Sequence, residues 1–308
     1  MNSQATPHTL RAWWLAARPK TLSGALVSVV TATTLAYTSD TPHAAAPFLA
    51  VLCAAFAGLM QIASNFINDL IDFRRGRDGE DRLGPERACA QGWITPQAMQ
   101  RGIAITLILA AAVGLCSLVL FAHASQYPFA QLALWLGLVG VSCGAGAFLY
   151  TTHLSRLALG DIMVLIFFGL IPVSGTYFLL TDHLTLPALL LGLGIGLVVD
   201  LLLVINNFRD RDNDARVQKR TLVVLLGESK TLGLYLLLGL TALLTLIGVC
   251  AALPAAGKTF FPLHWRTWKA LKRIRHGRAL NALLGETSRN ILVFAFAFCL
   301  GLLLLNIW

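Results

Sequence analysis

Two short polar clusters interrupt a chain that is otherwise mostly apolar, and they hold the residues best suited to chemistry. The first cluster contains Asn65, Asn68, Asp69, Asp72 and Asp78, and the second contains Asn206, Asn207, Arg209, Asp210 and Asp214. Segments 68–87 and 208–228 carry ten of the fifteen acidic residues, although only 13% of the chain is charged. Carboxylates crowded this closely repel one another unless a cation lies between them. The clusters therefore predict a site for a divalent metal and an anionic ligand.

Arginines are interleaved with these acids, so a solvated loop rich in ion pairs explains either cluster alone equally well. The two clusters, however, share a spacing. An Asn is followed four residues later by an Asp in both, at Asn65 and Asp69 and again at Asn206 and Asp210. Two related clusters that reach back into apolar segments favour a binding site over two ordinary loops.

The remainder of the chain has the composition of a membrane protein. It is 56% hydrophobic and its mean hydropathy is +0.70. A membrane-spanning helix needs about 20 apolar residues. Suitable segments lie at 21–38, 46–67, 101–121, 129–149, 160–180, 186–207, 230–250 and 288–306. The predicted fold class is all-α, a polytopic bundle of membrane-spanning helices.

Segment 254–285 mixes aromatic and basic residues and allows two interpretations. If the chain crosses the membrane once more between about 252 and 272, every basic loop lies on one side. The opposite loops, around 40–45, 122–128 and 181–186, contain no Lys or Arg. The alternative is a basic amphipathic helix that lies on the membrane surface. The charge distribution favours the crossing, and hence about nine helices.

The positive-inside rule gives the bundle an orientation. It places the N-terminus in the cytoplasm and the C-terminus outside. We therefore predict one transmembrane domain, 1–308, in the cell (inner) membrane, with 1–20 as a cytoplasmic segment and 68–100 and 208–229 as cytoplasmic active-site loops.

The net charge of +9 is explained by basic loops that face anionic lipid, so nucleic acid is not an expected partner. The six cysteines occur singly, mostly within apolar segments, and lack metal-ligand or redox spacing. They are interpreted as packing residues.

Four predicted crossings separate the two clusters, and an even number of crossings returns the chain to the same side. If the second helix continues through Asp72 and the sixth through Asp214, the acids of each cluster fall on one helical face. Two such helix ends would surround a polar pocket at the membrane surface. Mg²⁺ suits this pocket because it prefers oxygen ligands and typically binds a few carboxylates together with substrate phosphates.

The extended clusters resemble those of the UbiA-type membrane prenyltransferases. The resemblance rests on Gly76, Asp78, Arg82, Gly84, Pro85, Arg87 and Gly92 after the first cluster, on Lys219, Thr221, Leu222 and Gly227 after the second, and on Arg18, Pro19, Lys20, Thr21, Gly160, Asp161, Phe167, Phe168 and Gly169 elsewhere. Within that superfamily the chain is most similar to the 1,4-dihydroxy-2-naphthoate polyprenyltransferases of menaquinone synthesis. It departs from the pattern at Gln218, where the family usually has Gly, and in the short basic region 252–272.

The resemblance implies transfer of a polyprenyl chain from an allylic diphosphate to an aromatic acid, with Mg²⁺ assisting departure of the diphosphate. It implies metal ligands at Asp69, Asp72 and Asp78 for one ion and at Asp210 and Asp214 for another, with Lys219 as a further catalytic residue. Candidate substrate-binding residues are Asn65, Asn68, Arg82, Arg87, Asn206, Asn207, Arg209, Arg220 and Asp161, with Arg18 and Lys20 for the carboxylate of the acceptor. The aromatic residues Phe66, Tyr150, Phe167 and Phe168 are candidates to shield an allylic cation.

The sequence leaves open the acceptor, the class of protein and the surroundings of two further aspartates. The acceptor could be another aromatic acid, such as 4-hydroxybenzoate. A secondary transporter also combines internal repeats with buried polar groups, although transporters place their sites near the membrane midplane. Asp200 lies within the sixth apolar segment and is either neutral or directed into a cavity, whereas Asp182 is expected to be simply solvated.

Overall fold

The computed structural model describes residues 9–76, 82–247, 249 and 253–305, and every regular element in these ranges is helical. The α-helices are α1 (Thr9–Ala17), α2 (Pro19–Ser39), α3 (Ala46–Arg74), α4 (Pro96–Ala122), α5 (Phe129–Thr152), α6 (Gly160–Val164), α7 (Ile171–Thr181), α8 (Leu186–Arg216), α9 (Leu222–Ile247), α10 (Leu253–Ile274) and α11 (Leu280–Leu305). A π-helical segment, Leu165–Leu170, joins α6 to α7 into one continuous span. The predicted all-α fold class is confirmed.

Eight spans in the described ranges are long and apolar enough to cross a membrane. They correspond to α2, α3, α4, α5, the α6–α7 span, α8, α9 and α11. These are the eight apolar segments that the sequence predicts. The ninth predicted crossing corresponds to α10, which is too polar to be included on composition.

Helix α10 nevertheless runs antiparallel to α9 over its C-terminal half, where His264 lies 3.3 Å from the carbonyl of Leu236. The indole Nε1 of Trp268 donates to the carbonyl of Leu232 at 2.9 Å, and just beyond the end of α10 Arg275 forms an ion pair with Glu228 at 3.2 Å. Its 22 residues span about 33 Å. Because α9 crosses from one end of the bundle to the other, its antiparallel neighbour crosses back. The geometry favours the crossing over a surface-lying helix.

Helices α3 and α8 carry the two polar clusters because both are longer than a membrane requires. They contain 29 and 31 residues, against about 20 for one span. Pro residues in the first turn and, in α8, the Thr185 side chain that caps the N–H of Ala188 fix where they begin. Each extra turn projects beyond the apolar layer at the same end of the bundle. The expectation that these helices continue through Asp72 and Asp214 is confirmed.

The π-helical segment packs directly against the backbone of α8. A Cβ added to Gly169 would lie 2.3 Å from the carbonyl oxygen of Gly192 and 2.6 Å from the Cα of Gly196. Only glycine allows this approach. The contact holds the α6–α7 span, with the cavity-lining Phe167 and Phe168, against the helix that carries the second cluster.

We expect Gly169→Ala to destabilise the protein by about 1–3 kcal/mol, the usual cost of overpacking. The matched control is Gly175→Ala, because a Cβ at Gly175 meets nothing within 4 Å. Thermal unfolding of the purified protein in detergent measures the difference. Equal midpoints for the two variants would contradict the close backbone contact.

A polar network closes the end of the bundle opposite the clusters. Tyr177 and His183 both contact Oδ2 of Asp40, each at 2.8 Å. Asp182 accepts a hydrogen bond from the backbone N–H of Gln126 at 3.0 Å. The expectation that Asp182 is merely solvated is wrong, since its carboxylate also holds the turn between α4 and α5.

Candidate active site

The first cluster begins with an Asn that fixes the junction between α1 and α2. Asn65 is buried, and its amide donates to the carbonyl of Ala17 at 2.9 Å and to the hydroxyl of Thr21 at 3.0 Å. Between these two partners Arg18 adopts the left-handed conformation, with φ of 51°. Asn65 therefore holds the turn that directs Arg18 towards the cavity described below.

Asp69 organises the loop that follows α3. It is 1% exposed, and its two carboxylate oxygens accept the backbone N–H groups of Ala88 and Cys89, both at 3.0 Å. The preceding residue, Arg87, donates to Oδ2 of Asp72 at 2.9 Å. The contacts of Asp69 thus position Arg87 against Asp72. Asp69 does not line the cavity, and its predicted role as a metal ligand stays a prediction.

Asn68 joins α3 to α5 at the same end of the bundle. Its side-chain oxygen accepts a hydrogen bond from the hydroxyl of Thr151. Arg75 reinforces the contact by donating to the carbonyls of Thr151 and Thr152 at 3.3 Å.

The second cluster is built around Arg209, whose guanidinium is 1% exposed. It donates to both oxygens of Asp210 at 2.8 and 2.6 Å, to Oδ1 of Asn206 at 2.8 Å and to Oδ1 of Asn281 at 2.8 Å. A planar guanidinium that uses its donors in this way fixes its partners in orientation as well as in distance. Arg209 therefore sets the positions of Asp210 and Asn206 and ties α8 to α11.

The end of α8 folds back on itself. Lys219 Nζ lies 3.1 Å from Oδ2 of Asp214, and the Lys219 N–H donates to the Asp214 carbonyl at 2.8 Å. Gln218 reaches this turn with φ of 55°, in the left-handed region that favours glycine. The departure from the family pattern at this position therefore leaves a turn of the kind that glycine makes.

The loop after α3 rests directly on the second cluster. A Cβ on Gly84 would lie 2.9 Å from Nη2 of Arg209, so only a glycine fits there without displacing the guanidinium. Asn281 also donates to the carbonyl of Leu83 at 2.8 Å. The two clusters thus meet, and α11 closes the joint between them.

The clusters share one cavity of about 2930 Å³. Its polar end is lined by Arg18, Asn65, Asn68, Asp72, Arg82, Arg87, Asn206, Asn207, Arg209, Asp210, Asp214 and Lys219. From there it continues between α3, α4, α5 and the α6–α7 span to Tyr127, Phe178 and His183 near the opposite end. A charged mouth thus opens into a long apolar channel, as an amphiphile with an anionic head would require.

Residues 25–282 match the UbiA prenyltransferase family. The chain belongs to this family. It is 38% identical over 228 residues to 1,4-dihydroxy-2-naphthoate octaprenyltransferase of Haemophilus influenzae, covering 72% of this chain and 71% of that protein. It is 34% identical over 303 residues to the protein of the same name from Escherichia coli, covering 96% of each.

Solved structures show the same fold. A UbiA homologue from Aeropyrum pernix K1 superposes with a TM-score of 0.63 at 19% identity, covering 92% of this chain and 98% of that chain. Digeranylgeranylglyceryl phosphate synthase gives a TM-score of 0.61 at 14% identity, covering 96% and 98%. The predicted resemblance to UbiA-type prenyltransferases is confirmed, and a secondary transporter is excluded.

Three acids at the mouth are each paired with a base. Asp72 pairs with Arg87, Asp210 with Arg209 and Asp214 with Lys219. Basic side chains thus provide the cations that the crowding of the acids demands. Within the described ranges, no three His, Cys, Asp or Glu side chains gather as a metal site would require.

The donor set at the mouth nevertheless fits Mg²⁺. Carboxylates of Asp72, Asp210 and Asp214 and amide oxygens of Asn68 and Asn206 line one cavity, and all are oxygen ligands. Mg²⁺ usually keeps only one or two protein carboxylates and completes its coordination with substrate phosphates and water. Donors contributed from two helices fit an ion that binds together with its substrate better than one held by the protein alone.

Cations are crowded around Arg18. Burial, followed by repulsion from Arg87, lowers the pKa of Arg18 to about 9. The side chain is still cationic at neutral pH, and a bound anion would relieve both effects. Attraction to Asp69 and Asp72 opposes the shift. The cavity that Arg18 lines also holds Arg82, Arg87 and Lys219, so its polar end can take a phosphate ligand.

Several predicted residues lie elsewhere. Asp78 lies outside the described residues, as does the side chain of Lys20. Asp161 does not line the cavity, and its carboxylate oxygens have no hydrogen-bond partner among the described residues. Arg220 is exposed and also outside the cavity lining, with its backbone bridged to Leu157. For these four residues a substrate or metal role stays a prediction.

Of the aromatic candidates, Tyr150, Phe167 and Phe168 line the cavity. Phe66 does not, because it packs edge-to-face on Trp13 with ring centroids 5.3 Å apart. Asn281 was not among the predicted site residues. Its only signal in the sequence is its place in the first turn of the last helix, nine residues before the uncharged run that begins at 290.

Proposed function

We propose that the protein transfers a polyprenyl chain from an allylic diphosphate to 1,4-dihydroxy-2-naphthoate, with loss of the carboxyl group as CO₂, giving demethylmenaquinone in its quinol form. The observation that carries the proposal is the meeting of the two polar clusters at the mouth of a long apolar cavity. The relatives named for this reaction, one of which matches over 96% of the chain, indicate the acceptor.

The cationic residues at the mouth bind the diphosphate. Arg18, Arg82, Arg87 and Lys219 line the cavity there, and each can donate to phosphate oxygens. Arg87 and Lys219 are held in place by Asp72 and Asp214 before substrate binds. As the C–O bond breaks, the electron pair leaves with the diphosphate, and these cations stabilise the charge that develops on it.

Mg²⁺ would be held by Asp72, Asp210 and Asp214, with Asp69 and Asp78 as further proposed ligands. When bound, it supplies Lewis-acid stabilisation of the leaving diphosphate. Asn68, Asn206 and Asn207 orient the carboxylates and the substrate. Arg209 keeps Asp210 aligned through its two hydrogen bonds.

The apolar part of the cavity takes the isoprenoid chain. Tyr150, Phe167 and Phe168 stand between the polar mouth and the channel, where their ring faces attract an allylic cation without competing as strong nucleophiles. The surrounding helices exclude water, which would otherwise capture the cation. The acceptor ring then forms the new C–C bond at the allylic carbon. The ring carbon that is attacked loses its carboxylate as CO₂, and the electron pair of that broken bond restores the aromatic ring.

The orientation of the protein in the membrane follows from its charged loops. The polar mouth faces the cytoplasm of a multi-pass protein in the cell (inner) membrane, because the basic loops lie at that end of the bundle. The partners are the bilayer and the two substrates, and residues 1–308 act as one transmembrane domain.

A membrane assay with labelled polyprenyl diphosphate tests the function. We expect product with 1,4-dihydroxy-2-naphthoate and little with 4-hydroxybenzoate when both are offered together. Chelation with EDTA is expected to abolish transfer because it removes the ion that would stabilise the leaving diphosphate. Added Mg²⁺ is expected to restore it. Preferential prenylation of 4-hydroxybenzoate would favour the alternative acceptor, whereas full activity in EDTA would contradict the metal.

A further inference from the structure

Helix α10 carries a basic face that the proposed reaction does not use. Its exposed side chains include Lys258, Arg266, Lys269, Lys272 and Arg273. The opposite face is buried between α9 and α11 through Phe260, His264, Thr267 and Leu271. The basic face is thus turned outwards, on a helix that passes through the apolar layer.

Three of these cations surround a small pocket between α10 and α11. The pocket has a volume of about 370 Å³ and is lined by Arg266, Lys269, Ala270, Arg273 and Glu286. Glu286 offsets one of the three positive charges, so the lining retains a net positive charge. Uncompensated charges next to lipid are costly, and such groups are normally paired or reach the interface.

The pocket is separate from the active-site cavity. Glu286 accepts a hydrogen bond from Thr267 of α10 at 3.4 Å and does not line that cavity, whereas Gly285, Ser288 and Arg289 of α11 do. The pocket therefore faces the exterior of the bundle, where the surrounding medium is lipid.

The pocket lies at about the depth of the phospholipid headgroups. Arg266 lies eight residues before Ile274, which places it about 12 Å from the end of the helix nearest the active site. A long basic side chain extends from such a depth towards the interface. Trp265 and Trp268 occupy the same level, as is typical of interfacial tryptophans.

The two tryptophans also hold the basic chains in place. Lys269 Nζ lies 5.5 Å from the ring centroid of Trp265, and Lys272 Nζ lies 5.6 Å from that of Trp268. The hydrogen bond from Trp268 to Leu232 fixes the second ring on α9. Lys269, one of the three cations that line the pocket, is therefore partly ordered before any ligand arrives.

We propose that this pocket binds the phosphate headgroup of an anionic phospholipid on the same side of the membrane as the active site. Arg266, Lys269 and Arg273 bind the phosphate oxygens, and the acyl chains lie along the apolar surfaces of α10 and α11. The negative headgroup compensates the charges that make α10 too polar to span on composition.

Native mass spectrometry of the purified full-length protein tests the proposal, with cardiolipin, phosphatidylglycerol and phosphatidylcholine as probes. We expect Arg266→Gln, Lys269→Gln and Arg273→Gln combined to weaken binding of the two anionic lipids by at least about tenfold. The control combines Arg74→Gln, Arg101→Gln and Lys230→Gln, three exposed basic residues outside the pocket. It is expected to change binding less than about twofold.

Equal losses in the two triple variants would overturn the proposal, as would equally tight binding of phosphatidylcholine to the wild-type protein. Displacement of the lipid by millimolar inorganic phosphate or diphosphate would show that the pocket takes a soluble anion instead. If the α10 variant fails to fold, the salt dependence of the wild-type protein decides. Binding of cardiolipin must fall as NaCl is raised from 0.1 to 1 M, and binding that is insensitive to salt would also overturn the proposal.

Discussion

Replacing Asp72 or Asp214 by Asn is expected to lower prenyl transfer by at least about 100-fold, the scale seen when a group that stabilises transition-state charge is lost. Both carboxylates line the polar mouth, and each holds a base that can reach the diphosphate. An Asn keeps the shape of the side chain but removes the charge that binds the metal and orients Arg87 or Lys219. Initial rates at saturating substrate measure the loss.

Asp212→Asn is the matched control for Asp214→Asn. Asp212 lies on the same helix, but its side chain is 78% exposed and it does not line the cavity. Asp182→Asn, at the other end of the bundle, serves as a second control. Asp212→Asn is expected to keep activity within about twofold, as surface substitutions usually do. Asp182→Asn is expected to do the same because the turn that Asp182 holds lies at the end of the bundle opposite the clusters. Comparable rates for all four variants would show that the clusters are solvated ion pairs and not a catalytic site.

The Mg²⁺ dependence of the residual activity separates catalysis from folding. If Asp72 and Asp214 contribute to the ion, the variants need more Mg²⁺ than the wild-type protein to reach half of their own maximal rate. A variant that is only unstable would lose active protein without shifting this concentration.

The sequence predicted the site as far as helical periodicity and topology allow. The Asn to Asp spacing on α3 and α8 specifies one face of each helix, and counting crossings places both faces at the same end. Those inferences need only local geometry. They are sufficient to bring Asp72, Asp210 and Asp214 to one cavity.

What the sequence could not reveal depends on how loops fold over the helices. Asp69 and Asp72 are both aspartates on α3. Asp69 nevertheless accepts hydrogen bonds from the N–H groups of Ala88 and Cys89, because the loop after α3 turns back over that helix. Asn281 joins the site only because α11 begins beside Arg209. The crossing by α10, in contrast, was predicted from the distribution of basic loops, and the antiparallel contact with α9 supports it.

Arg209→Gln is expected to reduce activity by about 100-fold, for a reason different from loss of a metal ligand. The buried guanidinium holds Asp210, Asn206 and Asn281 together. Removing one member of a buried ion pair costs about 3–5 kcal/mol. Because the side chain of Asp210 is 23% exposed, we expect the cost for this pair to lie at the lower end of that range. We therefore expect the loss of activity to come from disorder of the side chains at the mouth of the cavity.

Arg216→Gln is the control, because Arg216 is exposed at the end of the same helix and does not line the cavity. Amide hydrogen exchange distinguishes the two variants. Gly84 packs against Arg209. Asn281 accepts a hydrogen bond from Arg209 and donates one to the carbonyl of Leu83. Loss of the guanidinium should therefore accelerate exchange in residues 82–90, with a raised KM for the diphosphate. Normal exchange in that loop together with a lost kcat would mean that Arg209 acts on the substrate directly and not by joining the two clusters.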